Sequence, residues 1–584
     1  MLRQLVSDWM SKIPASALMA HVERLSVYDR YQASRGIQEA SAYVAEVAQR
    51  MGLEDVSIEQ FPADGKARWW SYKAPTSWTP LEARLEVRLG DQGILQVDHA
   101  RQPMSLATYS APTKPGGVVA RLVTVRSWTP SPDLTDAIAV IPQPEGNWLR
   151  RVASSGAIGF VTTVENNKER SGRIELSPNA SLFGFSLTPR DLALVQACAE
   201  QGAQARVTIE IDRSACMPVV TAVVPGAMAA EEIWVTAHLC HPRPGANDNA
   251  SGVAAALGVA AAYRRNGSRP AHKSTRFVWG PEFTGVAAML HACATRGRAF
   301  PSAVINLDMV GEDQSLCGGP FVVERSPDCV PSLINPLAEA VVREVFDSTG
   351  AVPGTWESAP FRGFSDHALF ADRTFACPAV QFCHHPDRFN HSSQDSLDKV
   401  SADEMVRSAV SCAALAHLLT DNSALPRSAR TRLVEDWRRG EAAATERIAE
   451  RYRDVDGGRW AREFTEYVEA RNRSLGDTGG RPARSRTAKE PILQARWEGP
   501  FNTRAMIEEM PPSTGTFLSD LVAEDKQTLA LLFNFAIRID GSRTRREILR
   551  ETSFGLGHPI AEERAQHLFD AMIESLWVSE GPCG

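Results

Sequence analysis

Trp234 to Gly252 reads WVTAHLCHPRPGANDNASG, and a run of small residues, VAAALGVAAAY, follows at once. Ile233 to Ala237 has the apolar character of a buried strand, while the alanine-rich run after Gly252 suits a helix packed closely on a sheet. Between them lies a loop bearing His238, His241 and Asp248. In an open α/β sheet, the carboxyl ends of the strands are where ligands bind.

Each of these residues also has an ordinary structural reading. A histidine near a strand end is usually just hydrogen-bonded, and an aspartate inside N-D-N-A-S-G can cap the following helix. Asn249 and Ser251 are equally able to cap, which leaves Asp248 free. The same pattern then recurs downstream. Ser274 to Trp279 reads as a strand running into Gly280-Pro281-Glu282, and Val304 to Leu307 as another ending at Asp308. Ala379 to Cys383 is a third, continuing into HHPDRFNHSSQDSLDKV with His391. Three further strand ends thus carry Glu282, Asp308 and His391, a repetition that chance does not readily produce.

The chain has 584 residues, 43% hydrophobic and 23% charged, which describes a soluble globular protein too long for a single core. A net charge of -7 argues against nucleic acid as the main partner. The ten cysteines form no C-x-x-C pair, as expected for a reducing compartment. Asp8 and Lys12 interrupt the N-terminal segment, so no secretory core is expected, and no apolar run reaches the roughly 18 residues of a membrane span. These features point to a cytoplasmic enzyme without membrane association, and they leave room for a homo-oligomer.

Gly36 to Met51 places Ile37, Ala40, Val44, Val47, Ala48 and Met51 on one helical face, and Val56 and Ile58 then alternate as in a short strand. From Trp78 to Arg213 the texture becomes short strands broken by Gly and Pro, with NWLRRVASSGAIGFVTTVEN reading as a helix, a turn at Gly156 and a strand. The expected fold is α/β: a mixed, mostly parallel sheet flanked by helices, formed by residues 1–77 and 214–420. Residues 78–213 form an inserted β-rich module with a lid, substrate-shaping or docking role. A helical segment with alternating charges and a polar linker covers 421–496, and 497–584 suits a small helical or winged-helix domain.

Zinc takes imidazole nitrogen and carboxylate oxygen and leaves a position open for water in catalytic sites. Two such ions sharing a carboxylate activate a nucleophile and polarise a carbonyl together, with a nearby glutamate moving the proton. The residues resemble those of the co-catalytic zinc aminopeptidases related to aminopeptidase S and glutamate carboxypeptidase. In that family H-x-D, N-D-[DN]-x-S-G, E-E, L-D-M and H-x-x-x-D succeed one another. Here the matches are His238, Asn247-Asp248-Asn249-Ala250-Ser251-Gly252, Glu282, Leu307-Asp308-Met309 and His391-Ser392-Ser393-Gln394-Asp395, with Ser365-Asp366-His367 ahead of the last histidine. The chain is also similar to a branch with an H-x-C-H-P motif and a C-terminal winged helix. The resemblance implies one or two zinc ions, with Asp248 as the bridge. His238 and Asp308 would complete one metal, and His391 with a glutamate the other. Asn247, Asp366 and His367 stand behind the ligands. It further implies a cis peptide after Asp248, a protease-associated module in the insert, and a peptide substrate with a free N-terminus.

Two departures leave alternatives open. Pro281-Glu282 replaces the family's Glu-Glu, so Glu282 serves as base or as ligand, and Glu312 or Asp313 supplies the other role unless only one metal binds. Cys240 occupies the place of the aspartate in H-x-D, and His241 is an alternative to His238. The leading expectation is a metal-dependent aminopeptidase. A single-zinc glutaminyl cyclase-like enzyme or amide hydrolase acting on a biosynthetic peptide, and a degenerate peptide-binding protein, are the alternatives. The C-terminal segment mixes Arg543, Arg545 and Arg546 with Glu547, Glu551, Glu562 and Glu563, which lacks the broad basic face of a DNA binder.

Overall fold

Eight strands form the central sheet: β1 Glu54–Phe61, β2 Met217–Val224, β3 Met228–His238, β4 Lys273–Gly280, β5 Val304–Leu307, β6 Phe321–Glu324, β7 Trp356–Ala359 and β8 Ala379–His384. Their spatial order is β1-β2-β4-β3-β5-β8-β6-β7. The central four, β4, β3, β5 and β8, run parallel, whereas β1 and β2 at one edge and the β6–β8 pairing are antiparallel. This computed structural model describes residues 1–129, 131–265, 271–475 and 490–581. The polar linker expected near 474–491 lies mostly outside them.

The alternation of side chains across the pleat divides the central strands between two cores. Ile233, Val235 and Ala237 of β3, Phe277 and Trp279 of β4, Ile305 and Leu307 of β5, and Val380 and Phe382 of β8 enter one apolar cluster. That cluster is closed by the helices Leu2–Met10, Ala15–Leu25, Arg35–Arg50, Gly252–Arg265, Ile334–Ser348 and Ala402–Thr420. Trp234, Val278, Val304 and Ala379 point the other way, against the helix Thr284–Thr295 and residues of His367–Ala371. Burial on both faces is why these strands read as continuous apolar runs. The alanine-rich helix packs closely against the helix Ala15–Leu25, and at Gly258 an added Cβ would come within 2.3 Å of Leu18 Cδ2.

The insert forms a separate seven-stranded sheet with its own core. Thr79–Leu89, Gln92–Asp98, Gln204–Asp212 and Val118–Thr124 pair antiparallel, and Val118–Thr124, Ile138–Ile141, Gly159–Thr162 and Phe183–Ser186 continue in parallel. The helices Trp148–Ser154 and Pro189–Ala199 make it a mixed α/β unit. The charged run after residue 420 is the helix Arg427–Arg451. Five helices between Thr503 and Glu574 make up the last domain, and Ile492–Ala495 pairs with Val578–Gly581 to close it. It docks on the first domain through a buried ion pair of Arg538 with Asp328 and through Asn534 Nδ2 donating to Phe361 O at 3.0 Å. Among the described residues, no helix is long and apolar enough to cross a membrane.

Candidate metal centre

The four parallel strands bring their carboxyl ends to one edge. His238 closes β3, Glu282 stands two residues past Gly280 of β4, Asp308 follows Leu307 of β5, and His391 lies in the loop after β8. The loop between His238 and the alanine-rich helix is held from a distance. Arg30 is fully buried; its Nε and Nη2 donate to Leu239 O (2.8 Å) and Gly245 O (2.9 Å), and its backbone exchanges two hydrogen bonds with His241. Asp395 accepts from the backbone N–H groups of Asn247 (2.8 Å) and Asp248 (3.0 Å). The Asp248–Asn249 peptide is cis. Asn249 Oδ1 accepts from Gly252 N and Met309 N, while its Nδ2 donates to Leu307 O. This side chain fills the space where a Cβ on Gly252 would fall, 2.4 Å from Asn249 Oδ1, so the glycine of the motif admits a side chain that ties the loop to β5.

The result is two sets of ligand-type atoms sharing Asp248. Asp248 Oδ1 lies 3.2 Å from His238 Nε2, which is itself 3.1 Å from Asp308 Oδ1. Asp248 Oδ2 lies 3.4 Å from His241 Nε2 and 3.2 Å from His391 Nε2. Within each trio, His238–Asp248–Asp308 and His241–Asp248–His391, one atom per residue falls within 4.8 Å of the others. His238 and His241, expected as alternatives, both stand at the centre, each facing a different oxygen of the same carboxylate. Glu282 belongs to neither trio.

The electrostatics distinguish the two histidines. Burial opposes charge on His238, but Asp308 and Asp248 outweigh it and raise its pKa well above the ordinary value. Burial dominates at His241 and pushes it down to about 3, leaving a neutral imidazole. Burial likewise opposes ionisation of Asp248, yet the surrounding histidines hold its pKa well below the usual carboxylate range. Glu282 is pushed up to about 8, chiefly by burial, with Asp308, Asp366 and Asp248 adding to it against His238. Asp366 is raised to about 6, again by burial.

Two buried atoms at the centre, His241 Nε2 and Asp248 Oδ1, have no hydrogen-bond partner. Orphan polar atoms this deep are costly unless something satisfies them. A donor set of imidazole nitrogen and carboxylate oxygen, divided into two trios by one aspartate, fits two zinc ions.

Asp366 Oδ1 accepts from Phe283 N at 2.6 Å, which fixes the turn carrying Glu282. His367 turns away and pairs with Glu324 at 2.7 Å. Asn247 Nδ2 donates to Asp387 at 2.9 Å and its Oδ1 accepts from Gly311 N. Asp313 is spent on capping the helix Gln314–Cys317, and Glu312 gathers with Cys317 and Asp387 instead of the central pair. Sequence reasoning does not single out Arg30, Asp387 or Arg173. Arg173 belongs to the insert: its N–H donates to His391 O at 2.7 Å, Gly172 bridges to Ser392, and its side chain pairs with Glu175 at 2.6 Å. Only strand-end position could have marked such residues, and none of them lies at a strand end.

Residues 219–416 match the family model described as Peptidase family M28. Among curated protein sequences none matches this chain. Among solved structures, a zinc aminopeptidase from Bacillus subtilis is similar with TM-score 0.51 and 17% identity, over 71% of this chain and 97% of that one. A peptidase M28 precursor from Shewanella amazonensis SB2B gives 0.52 and 16%, over 72% and 96%. A putative peptidase from Clostridium acetobutylicum gives 0.52 and 13%, and the likeness covers 99% of both chains. The mixed, helix-flanked sheet is thus shared with these proteins, and with the last of them the likeness extends through the insert and the C-terminal helices.

Proposed function

We propose that this chain, an M28-type peptidase through residues 219–416, is a two-zinc aminopeptidase that removes N-terminal residues from peptides. The observation that carries this reading is the division of Asp248: one oxygen faces His238 and the other faces His241 and His391. His238, Asp248 and Asp308 would hold one ion, and His241, Asp248 and His391 the other. His241 would supply the donor that a second glutamate beside Glu282 would otherwise give. When bound, such a pair supplies Lewis-acid activation of water and of the scissile carbonyl.

The chain's own groups account for the rest. Glu282, outside both trios and with a raised pKa, is the group suited to take a proton from water and deliver it to the departing amine nitrogen. The balance is simple: the water oxygen joins the carbonyl carbon, the C–N bond breaks, and the proton carried by Glu282 ends on the nitrogen. Asp366 is a positioning residue that acts through the Phe283 N–H. Among the five ligand side chains, His391 is 52% exposed and the other four are nearly closed off. Approach from this one side suits a chain end better than the middle of a polypeptide. The presence of two trios favours this reading over a single-zinc cyclase. Zinc content and aminoacyl-p-nitroanilide hydrolysis, reversed by chelator and restored by zinc, test it in wild type, Asp248→Ala and Glu282→Gln. Asp248→Ala should lose the central zinc and the activity, and Glu282→Gln should keep the central zinc and lose turnover; full activity in both refutes the assignment.

A further inference from the structure

A second concentration of ligand-type side chains lies beyond the central pair. Glu312 stands in the stretch after β5, Cys317 in the helix Gln314–Cys317, and Asp387 in the segment after β8. One ligand atom from each lies within 4.8 Å of the other two. Glu312 is fully buried: Oε1 accepts from Gly319 N at 2.9 Å, while Oε2 has no hydrogen-bond partner. Cys317 is 2% exposed, and its Sγ has only a long contact of 3.7 Å with Lys399 O. Asp387 accepts from Asn247 Nδ2 and from Phe389 N. Among the described residues neither Glu312 nor Asp387 forms an ion pair.

We infer that Glu312, Cys317 and Asp387 bind a third divalent cation of the zinc type, separate from the central pair. Two carboxylate oxygens and one sulfur make a donor set that zinc accepts and that calcium or magnesium, which take oxygen only, does not. Three protein donors leave a fourth position for water. A cation would satisfy Glu312 Oε2, whose isolation is otherwise a desolvation cost without return. The consequence is structural. The ion joins the stretches after β5 and β8, and Asp387 passes that restraint to Asn247, the residue before the bridging Asp248.

Cobalt distinguishes this site from the central one, because a thiolate on cobalt gives a sulfur-to-metal charge-transfer band in the near ultraviolet, and both central trios are nitrogen and oxygen only. Full-length protein reconstituted with zinc and desalted should hold three equivalents, falling to two in Cys317→Ser and Glu312→Gln. The cobalt form should show the thiolate band in wild type and in Cys240→Ser, and lose it in Cys317→Ser. Asp248→Ala should keep one equivalent and the band, so failure of the central pair and failure of this site give different results. If Cys317→Ser does not fold, loss of the band in Glu312→Gln decides the same question. Absence of the band from wild type, or its loss in Cys240→Ser alone, overturns the inference and leaves Glu312 as a neutral acid beside Asp387.

Discussion

Replacing His241 by alanine tests the least expected feature of the central site. His241 Nε2 is buried, unpaired and 3.4 Å from Asp248 Oδ2, in the trio with His391. Structural zinc sites of four donors bind with about 10–16 kcal/mol, so one donor accounts for roughly 3 kcal/mol. That corresponds to about two decades in Kd. The other trio, His238, Asp248 and Asp308, keeps all its donors. Competition of the apo-protein with a chromophoric chelator should therefore resolve two zinc steps in wild type at the central site. In His241→Ala one step should weaken about 100-fold while the other stays in place. His238→Ala should weaken the opposite step. Secondary structure by circular dichroism serves as the folding control, since the His241 backbone bonds to Arg30 do not depend on the side chain. If both central steps survive His241→Ala unchanged, the histidine is not a ligand, and the second metal lacks a donor that the structure supplies.

Glu282→Gln should lower kcat by roughly 10²–10⁴-fold with zinc content unchanged, the usual contribution of a general base; a loss below tenfold would assign the proton to another group. Asp328→Ala removes the partner of Arg538, a fully buried guanidinium, and of the Tyr467 hydroxyl. Leaving such a charge unpaired costs about 3–5 kcal/mol, so the thermal transition should move down or split as the C-terminal domain loosens; an unchanged melt refutes the docking role. Glu324 supplies a pH test away from the metals. Burial opposes its charge, but His367 and the N–H groups of Gly363 and Arg362 outweigh it and hold its pKa below the ordinary 4.5. A lowered folded pKa means stability that is present above about pH 4.5 and lost as pH falls through the folded value. Glu324→Gln should be less stable near neutrality and lose stability less steeply on acidification; an equal acid slope in both proteins excludes the carboxylate as the cause.

Why some of this could be read from sequence and some not follows from where the constraints lie. Val304–Leu307 and Ala379–His384 are buried on both faces, so their apolar runs and the polar residues that end them are local signals. Parallel pairing then makes the ends converge, and His238, Glu282, Asp308 and His391 are found by that logic alone. His241 is different. Its place depends on Arg30, more than two hundred residues earlier, whose guanidinium and backbone draw the loop inward; no periodicity announces an arginine that bonds to carbonyls so remote in sequence. The same holds for Glu312, which reads as a spare carboxylate near L-D-M until the fold turns it toward Cys317 and Asp387. The insert shows the converse limit: its short apolar strands are legible, but its parallel half and the hydrogen bond from Arg173 to His391 arise only when two separate cores are set against each other. Strand ends tell which residues can meet, and the long-range polar bonds of the loops decide which oxygen each histidine faces. That second kind of information is what divides the clustered residues into two trios around Asp248.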